Sequence, residues 1–278
     1  MHRLANRYHP ITGTPFQADE TYREYAPCDA LKPYIRCFWG TEKPVCPSNV
    51  QPETGIVIPD TCMDVIFDMN FTQNTFTSVF CGMDETSLIT KAQKEKEETA
   101  TFGIRFYAWT AVLFSDGNMA GTGNKQMACE AFCERIEQVI KPYVYDFTTI
   151  DDLIEAAENV LYQILNTSKA DHNALNAIDR MIATCGRERI RDVCEYASVS
   201  ARSLERSFEQ MMGISPKAFS SLLRYQMVWQ EMTKNRCFQL LDAVEKYGYT
   251  DQAHLLHDFK KRHLMTPSDA LRFAKERR

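Results

Sequence analysis

The sequence predicts an α+β protein with a β-barrel or β-sandwich-like domain in front, a helical connector, and a wholly helical domain at the back. Three observations predict this class. Short segments rich in β-branched and aromatic residues occupy residues 20–115, apolar residues take on helical spacing from Lys125, and one helical pattern occurs twice near the C-terminus. With 278 residues, the chain is long enough for two domains that each bury a core.

The strand segments of the front domain are short and lie between Pro, Gly, Asn or Asp residues, which favour turns. They are IVIPD (56–60), DVIFDM (64–69), TFTSVFCG (75–82) and TFGIRFY (101–107). This spacing is typical of an antiparallel sandwich or barrel. We therefore predict a β-rich domain over residues 1–124.

Two amphipathic helices are predicted next. Apolar residues recur at every third or fourth position over residues 128–140 and again over residues 153–165. Pro142 follows the first stripe, and because proline cannot donate a helical hydrogen bond we predict that the first helix ends there. The connector, or dimerisation segment, covers residues 125–170.

Composition and charge bear on the class of protein. No apolar run is long enough to span a membrane, and the N-terminus lacks an apolar signal region, so a cytoplasmic protein without a membrane partner is expected. The ten cysteines include no CxxC pair and are expected as free thiols. Acidic residues are in excess over residues 1–171 and basic residues over residues 172–278. The back of the chain is therefore the candidate for a polyanionic partner.

The front domain offers no arrangement typical of an enzyme. His2 and His9 are too few for a histidine-rich metal centre. Cys62 lies between Asp60 and Asp64, whose negative charge would raise the thiol pKa and so disfavour a nucleophile. We therefore expect no enzymatic activity, no metal and no cofactor. An apolar ligand pocket with arginines that orient an anion is a second interpretation of this domain, beside ordinary core and surface residues. Its candidate residues are Arg36, Trp39, Arg105 and Trp109.

The first copy of the helical pattern covers residues 189–216 and predicts a helix-turn-helix. A short helix with an apolar stripe precedes a tight turn, and Ser200 caps a second helix that ends at Gly213. Leu204 and Phe208 lie four residues apart, so both face inward. The other face carries side chains that can read base edges in a major groove. They are Arg202, Glu205, Arg206 and Gln210.

The pattern returns when Phe259 is aligned on Phe208, with Leu255 in place of Leu204 and a Thr-Pro pair in place of Ser-Pro. One copy alone would equally fit any helical hairpin with a charged, solvated face. Two copies favour a pair of reading units. The intervening apolar pattern predicts a helix of about sixteen residues, roughly 24 Å long. Such a linker can present both units to adjacent major grooves, which lie about 34 Å apart.

The last hundred residues resemble the DNA-binding domain of the AraC/XylS family of transcription regulators. The likeness lies in VSARSLERSFEQMMGISPKAF (199–219) and YGYTDQAHLLHDFKKRHLMTP (247–267). It implies two helix-turn-helix units joined by a long helix over residues 171–278, with double-stranded DNA as the partner. The resemblance supports DNA contacts by the four exposed residues of the first unit named above. The further DNA contacts that it implies or supports are Ser200, Ser215, Gln252, Ala253, Leu256, His257, Lys260, Lys261 and Thr266.

The second unit departs from the family pattern. Leu256 and His257 stand where the family usually has a polar residue followed by arginine, and Leu264–Met265 stand where it usually has glycine before the final Thr-Pro turn. The unit either reads bases through Leu256 and His257 or holds the DNA backbone through Lys260, Lys261 and Arg262. We also expect His254 and His263 at the surface or facing the groove.

The front of the chain resembles, more loosely, the β-rich domain of some members of that family, which implies a sensor or interaction domain. We therefore expect a sequence-specific DNA-binding transcription regulator, controlled by a small-molecule effector or by homodimer formation through the front domain. The alternative is a ligand-binding or catalytic β-barrel protein whose helical tail serves protein contacts.

Overall fold

A computed structural model describes residues 1–17, 22–46, 54–91, 97–145 and 149–277. Within these ranges, an antiparallel sheet covered by helices precedes a helical C-terminal part. The α+β class expected from the sequence is confirmed. No helix in the described part of the chain combines the length and apolar character that a bilayer crossing requires.

The strands form two antiparallel sheets. They are β1 (Arg23–Tyr25), β2 (Ile35–Gly40), β3 (Thr54–Val57), β4 (Cys62–Asn70), β5 (Thr75–Cys81), β6 (Leu88–Lys91), β7 (Thr99–Tyr107) and β8 (Gln126–Ala128). The larger sheet has the order β1-β2-β7-β4-β5-β8, and β3 pairs with β6. Among the described residues β1 and β8 are outer strands that do not pair with each other, so the sheet is open rather than closed into a barrel. Each has only three residues, too few to complete a barrel wall.

The sheet buries one face because side chains alternate along a strand. In β4, Val65, Phe67 and Met69 point into the core, whereas Asp68 on the other face is exposed. Since three of the strand segments predicted from the sequence have this alternation, their positions in β4, β5 and β7 are confirmed, whereas the segment 56–60 overlaps β3 only at Ile56 and Val57.

The helices of the chain follow in order. They are α1 (His2–Arg7), α2 (Cys129–Tyr145), α3 (Ile150–Ile164), α4 (His172–Ala183), α5 (Ile190–Tyr196), α6 (Ala201–Met212), α7 (Pro216–Lys234), α8 (Leu240–Tyr247), α9 (Gln252–His263) and α10 (Pro267–Glu276). Helix α2 lies on the buried face of the sheet, where Phe132 stacks on Phe80 with ring centroids 4.1 Å apart. The helices predicted before and after Pro142 are present. The division into 1–124, 125–170 and 171–278 stays a prediction.

Helix α2 differs from the expected form at two points. It continues through Pro142 to Tyr145, so the end predicted at the proline is wrong. Pro142 lies in the last turn, where a missing N–H removes one hydrogen bond without breaking a long run of them. The backbone instead departs from helical geometry at Cys133, with φ −158° and ψ 105°.

The front domain packs directly on the helical part. Gln226 of α7 is fully buried and makes three hydrogen bonds across the junction. Its Oε1 accepts from the backbone N–H of Ile11 at 3.1 Å, and its Nε2 donates to the carbonyls of Ile11 at 3.1 Å and Pro59 at 2.9 Å. One turn later, Trp229 donates through Nε1 to the carbonyl of Thr12 at 2.9 Å. The predicted linker helix is therefore also one of the contacts between the two parts.

Candidate DNA interface

The first helix-turn-helix consists of α5, a short turn and α6. Ser200 caps α6, since its Oγ accepts a hydrogen bond from the N–H of Ser203 at 3.1 Å. Gly213 ends α6 with φ +68°, in the left-handed region where glycine carries little steric cost. Leu204 and Phe208 are buried between α6 and its neighbours. The cap, the end and the inward face predicted from the sequence are all confirmed.

The outer face of α6 carries the residues expected to contact DNA. Arg202, Glu205 and Arg206 are exposed, so their side chains are accessible to a partner. Gln210 is also exposed, but it lies near the C-terminal end of α6, where its carbonyl accepts from the N–H of Met119 at 2.8 Å. The first three residues therefore form a compact basic and polar surface at the start of the helix, and Gln210 lies at the junction with the front domain.

The second helix-turn-helix consists of α8, a turn and α9. Gly248 has φ +67° at the end of α8, and Asp251 caps α9 by accepting from the N–H of His254 at 2.7 Å. Leu255 and Phe259 are buried, as predicted from their spacing. The outer face of α9 exposes six of the seven residues expected there to contact DNA. They are Gln252, Ala253, Leu256, His257, Lys260 and Lys261.

Ser215 and Thr266 stand before the helices that follow α6 and α9. Ser215 Oγ accepts from the N–H of Ala218 at 3.1 Å, and Thr266 Oγ1 accepts from the N–H of Asp269 at 3.3 Å. Proline occupies the first turn of both helices, which suits a position whose N–H would have no helical partner. Backbone N–H groups at such helix starts are suited to binding an anion.

Two expectations for the end of α9 are wrong. Arg262 is only 5% exposed and cannot serve as a free phosphate contact. Its guanidinium donates to Asp258 Oδ1 at 3.2 Å and to Ser221 Oγ at 2.9 Å. His263 is fully buried rather than at the surface, with Nδ1 2.8 Å from the hydroxyl of Tyr225. Burial lowers the pKa of His263 to about 3, so the ring is neutral.

Leu264 ends α9 in the left-handed conformation, with φ +61° and a side chain 44% exposed. Because a Cβ is unfavourable there, we expect Leu264→Gly to raise the free energy of unfolding by about 0.5–1 kcal/mol. Gly248→Ala is the matched control, since it introduces a Cβ at φ +67° and should lower stability. Chemical denaturation of both variants measures the two changes. A Leu264→Gly protein less stable than wild type would contradict this explanation.

The candidate ligand residues of the front domain separate into two places. Arg105 Nε donates to Asp64 Oδ1 at 2.9 Å, and Trp39 Nε1 donates to the same oxygen at 2.7 Å. Arg36 Nη2 lies 3.2 Å from a carboxylate oxygen of Glu24. Three of the candidates therefore belong to one ionic cluster, in which carboxylates already pair with both guanidinium groups.

The fourth candidate, Trp109, is fully buried elsewhere. It stacks on Tyr107 with ring centroids 5.0 Å apart and meets Phe219 of α7 edge-on at 6.5 Å. Trp109 therefore belongs to the core at the junction of the two parts. The structure does not bring all four residues together around one cavity.

Asp60 belongs to the same ionic cluster, with Oδ2 3.6 Å from Arg105 Nη1. Burial raises the pKa of Asp60 to about 6, against the opposing effect of Arg105. The unfolded chain has an Asp pKa near 4, so this group contributes stability that is complete below pH 4 and is lost as the pH rises through 6. The loss of stability between the two pKa values is on the order of 2 kcal/mol.

Asp60→Asn should remove that part of the pH dependence, because asparagine keeps the acceptor for the N–H of Cys62 but does not ionise. Denaturation of both proteins between pH 4 and pH 7.5 measures the difference. We expect the wild type to lose on the order of 2 kcal/mol relative to the variant over that window. Parallel curves for the two proteins would show that Asp60 does not titrate there.

Comparisons with known proteins agree with this geometry. Residues 193–272, which run from α5 to α10, match a family model described as a helix-turn-helix domain. Residues 23–128, which run from β1 to β8, match one described as a domain of unknown function, DUF6597. No curated protein matched the chain.

Several solved structures are similar to parts of the chain. A transcriptional regulator from Chromobacterium violaceum with an AraC-type DNA-binding domain has 21% identity and a TM-score of 0.35, over 37% of this chain and 92% of that one. ToxT from Vibrio cholerae O395 has 15% identity and a TM-score of 0.42, over 85% and 97%. ToxT from V. cholerae strain SCE256, bound to an unsaturated fatty acid, has 10% identity and a TM-score of 0.41, over 84% and 94%.

The family match covers both helix-turn-helix units, the linker helix between them, and most of the last helix. The exposed side chains of α6 and α9 lie within the same span. Residues 193–272 therefore match a helix-turn-helix domain in sequence as well as in geometry.

Proposed function

We propose that the chain is a sequence-specific DNA-binding transcription regulator of the AraC type. The observation that carries this proposal is the pair of units, α5–α6 and α8–α9, which share a capped second helix with a buried Leu–Phe pair and an exposed outer face. A helix of this kind fits the major groove of B-form DNA. Two of them on one rigid linker read a longer sequence than one alone can.

The two reading helices divide the work in this proposal. Arg202 and Arg206 of α6 donate to base edges, with guanine O6 and N7 the best match for an arginine fork. On α9, Leu256 contacts a thymine methyl group, while Lys260 and Lys261 contact phosphates. The linker α7 has 19 residues and is about 28 Å long, so that with its flanking turns it reaches between grooves about 34 Å apart.

Control by a small molecule is the second part of the proposal. A cavity of about 1050 Å³ lies between the end of α7 and helix α10, beside Phe16 of the N-terminal segment and Leu256 of the reading helix. Lys234, Arg236 and Lys275 line it together with apolar side chains. An anionic molecule with an apolar body suits this lining. A ligand there would contact both the N-terminal segment and a residue proposed to touch DNA.

Homodimer formation through residues 1–171, with helices α2 and α3 as the contact, is the other route of control that we propose. The exposed side chains of Tyr143 on α2 and Tyr162 on α3 support it, since large aromatic residues are enriched at protein interfaces. Sedimentation of the full chain with and without DNA distinguishes the two routes, because only dimer formation changes the mass of the free protein.

Selection of DNA from a random pool, followed by titration, tests the proposed function. We expect the full chain to bind enriched DNA at least ~100-fold more tightly than a scrambled sequence, since specific binding of such domains exceeds non-specific binding by several orders of magnitude. Both affinities should fall with added salt as phosphate contacts release counterions. Equal affinity for enriched and scrambled DNA would contradict sequence-specific recognition.

A further inference from the structure

Two connections of the front domain form one unit against the helical part. They are residues 82–87, which follow β5, and residues 117–125, which precede β8, and we call them together the clamp. The N–H of Asn124 donates to the carbonyl of Met83 at 3.0 Å, and the Oδ1 of Asn124 accepts from the N–H of Glu85 at 2.8 Å. Because each connection is tied to the other, they would move as one body.

One side of the clamp holds the C-terminal end of α6. The N–H of Met119 donates to the carbonyl of Gln210 at 2.8 Å, and the N–H of Gly121 donates to Glu209 Oε1 at 2.9 Å. These two bonds attach to successive residues in the last turn of the first reading helix. The two bonds therefore hold the end of α6 against the clamp in more than one direction.

The same side of the clamp lies in close backbone contact with α6. A Cβ added to Gly123 would lie 2.5 Å from the carbonyl oxygen of Gly213, closer than real Cβ contacts allow. A Cβ added to Gly213 would lie 2.6 Å from the carbonyl oxygen of Met119. Glycine at both positions lets the two backbones approach closely. The clamp and the end of α6 therefore have little room to move past each other.

The other side of the clamp holds the C-terminal end of α9 through Arg262. Its Nη1 donates to the carbonyl of Glu85 at 3.2 Å, and the hydroxyl of Ser87 donates to the carbonyl of Arg262. The same guanidinium reaches Ser221 of the linker helix and Asp258 of its own helix. Arg262 thus joins the second reading helix, the linker and the clamp at one point.

The clamp leaves the proposed base-contacting surfaces open. Its bonds lie at the C-terminal ends of α6 and α9, whereas Arg202, Arg206, Gln252 and Leu256 are exposed nearer the N-terminal ends. A contact that covered these residues would exclude DNA. A contact that holds both helices at their C-terminal ends instead determines where each helix lies relative to the other.

We propose that the clamp sets the distance and angle between the two reading helices, and thereby the spacing of the two half-sites that the protein recognises. The proposal rests on the proposed function of DNA recognition. A change of one base pair moves the second half-site by about 3.4 Å and rotates it by about 35°. Hydrogen bonds of 2.8–3.2 Å such as those of the clamp do not survive a displacement of that size.

The test compares DNA duplexes in which the two half-sites are at the selected spacing, or closer or farther by one base pair. We expect wild type to bind the selected spacing about tenfold more tightly than either neighbour, equivalent to about 1.4 kcal/mol. The double variant Glu209→Ala, Ser87→Ala removes a bond on each side of the clamp. It should retain its preference for enriched over scrambled DNA but discriminate spacings by less than about threefold.

Matched controls separate the clamp from general loss of structure. Glu209→Gln keeps the acceptor for Gly121, and Ser221→Ala removes a hydroxyl that meets Arg262 inside the helical part. Both should keep wild-type spacing discrimination. Gly123→Ala instead disrupts the clamp by a steric clash. It should also reduce the discrimination between half-site spacings, which gives an independent result if the double variant does not fold.

The outcomes distinguish this proposal from the proposed function. Spacing discrimination that is unchanged in the double variant and in Gly123→Ala would overturn the clamp while leaving DNA recognition intact. Equal wild-type affinity at all three spacings would also overturn it. A wild type that does not prefer enriched to scrambled DNA would contradict the proposed function, and it would contradict the proposed role of the clamp as well.

Discussion

Replacement of Arg206 by alanine is expected to weaken binding to the specific DNA by about 1–3 kcal/mol and to relax the preference at one or two base pairs. Arg206 is exposed on the outer face of α6, in the part of the helix that the proposal places in the major groove. A guanine that loses its arginine partner is left with O6 and N7 as acceptors without donors, so the loss of affinity should be large on the right sequence and small on a wrong one. Affinities for specific, singly substituted and scrambled DNA measure it.

Lys260→Ala and Lys261→Ala are the controls for that prediction. Both lysines are exposed in the last turn of α9, where we propose phosphate contacts. Their loss should weaken specific and scrambled DNA alike and make the dependence on salt shallower, because fewer counterions are released. If the lysine variants lose discrimination while Arg206→Ala keeps it, the second unit is the reader and the proposed division of work is reversed.

Replacement of Gln226 by leucine is expected to lower the free energy of unfolding by about 3 kcal/mol, because it leaves several polar groups at the junction without partners. The fully buried side-chain amide of Gln226 supplies hydrogen bonds to both backbone groups of Ile11 and to the carbonyl of Pro59. These groups belong to the front domain and its N-terminal segment. The variant should also become sensitive to proteolysis at that segment, since part of its attachment to α7 is lost. Denaturation and timed proteolysis measure the two effects.

Gln230→Leu is the matched control, one turn farther along α7. The Nε2 of Gln230 is buried and has no hydrogen-bond partner among the residues that the structure describes. The same substitution there removes no such bond and should change stability by less than about 1 kcal/mol. Equal effects at the two positions would mean that shape, rather than the hydrogen bonds of Gln226, accounts for the loss.

The helical domain could be predicted from the sequence in detail because its signals are local. Ser200 as a cap, Gly213 as a helix end, and the inward-facing Leu and Phe residues all depend on contacts within a few positions. The repeat of the pattern removed the ambiguity of a single copy. The longer strands were predictable for the same reason, since alternation within seven to nine residues reports the buried face.

Other parts depend on contacts between distant residues and carry no local signal. The outer strands β1 and β8 have three residues each, too few for a recognisable alternation. Arg262 follows two exposed lysines in a basic run, and only its contacts with Glu85 and Ser221 show that it is buried. The pairing of Arg105 with Asp64 likewise depends on the register of β4 against β7.

Methylation interference on the selected DNA tests the central claim most directly, since a methyl group at guanine N7 blocks contacts in the major groove. We expect two groups of interfering guanines on one face of the duplex, with centres about 10 base pairs apart, one for α6 and one for α9. Arg206→Ala should remove interference at one or two positions of one group and leave the other group unchanged. A single group in wild type, or interference confined to the minor groove, would contradict recognition by two helix-turn-helix units in adjacent major grooves.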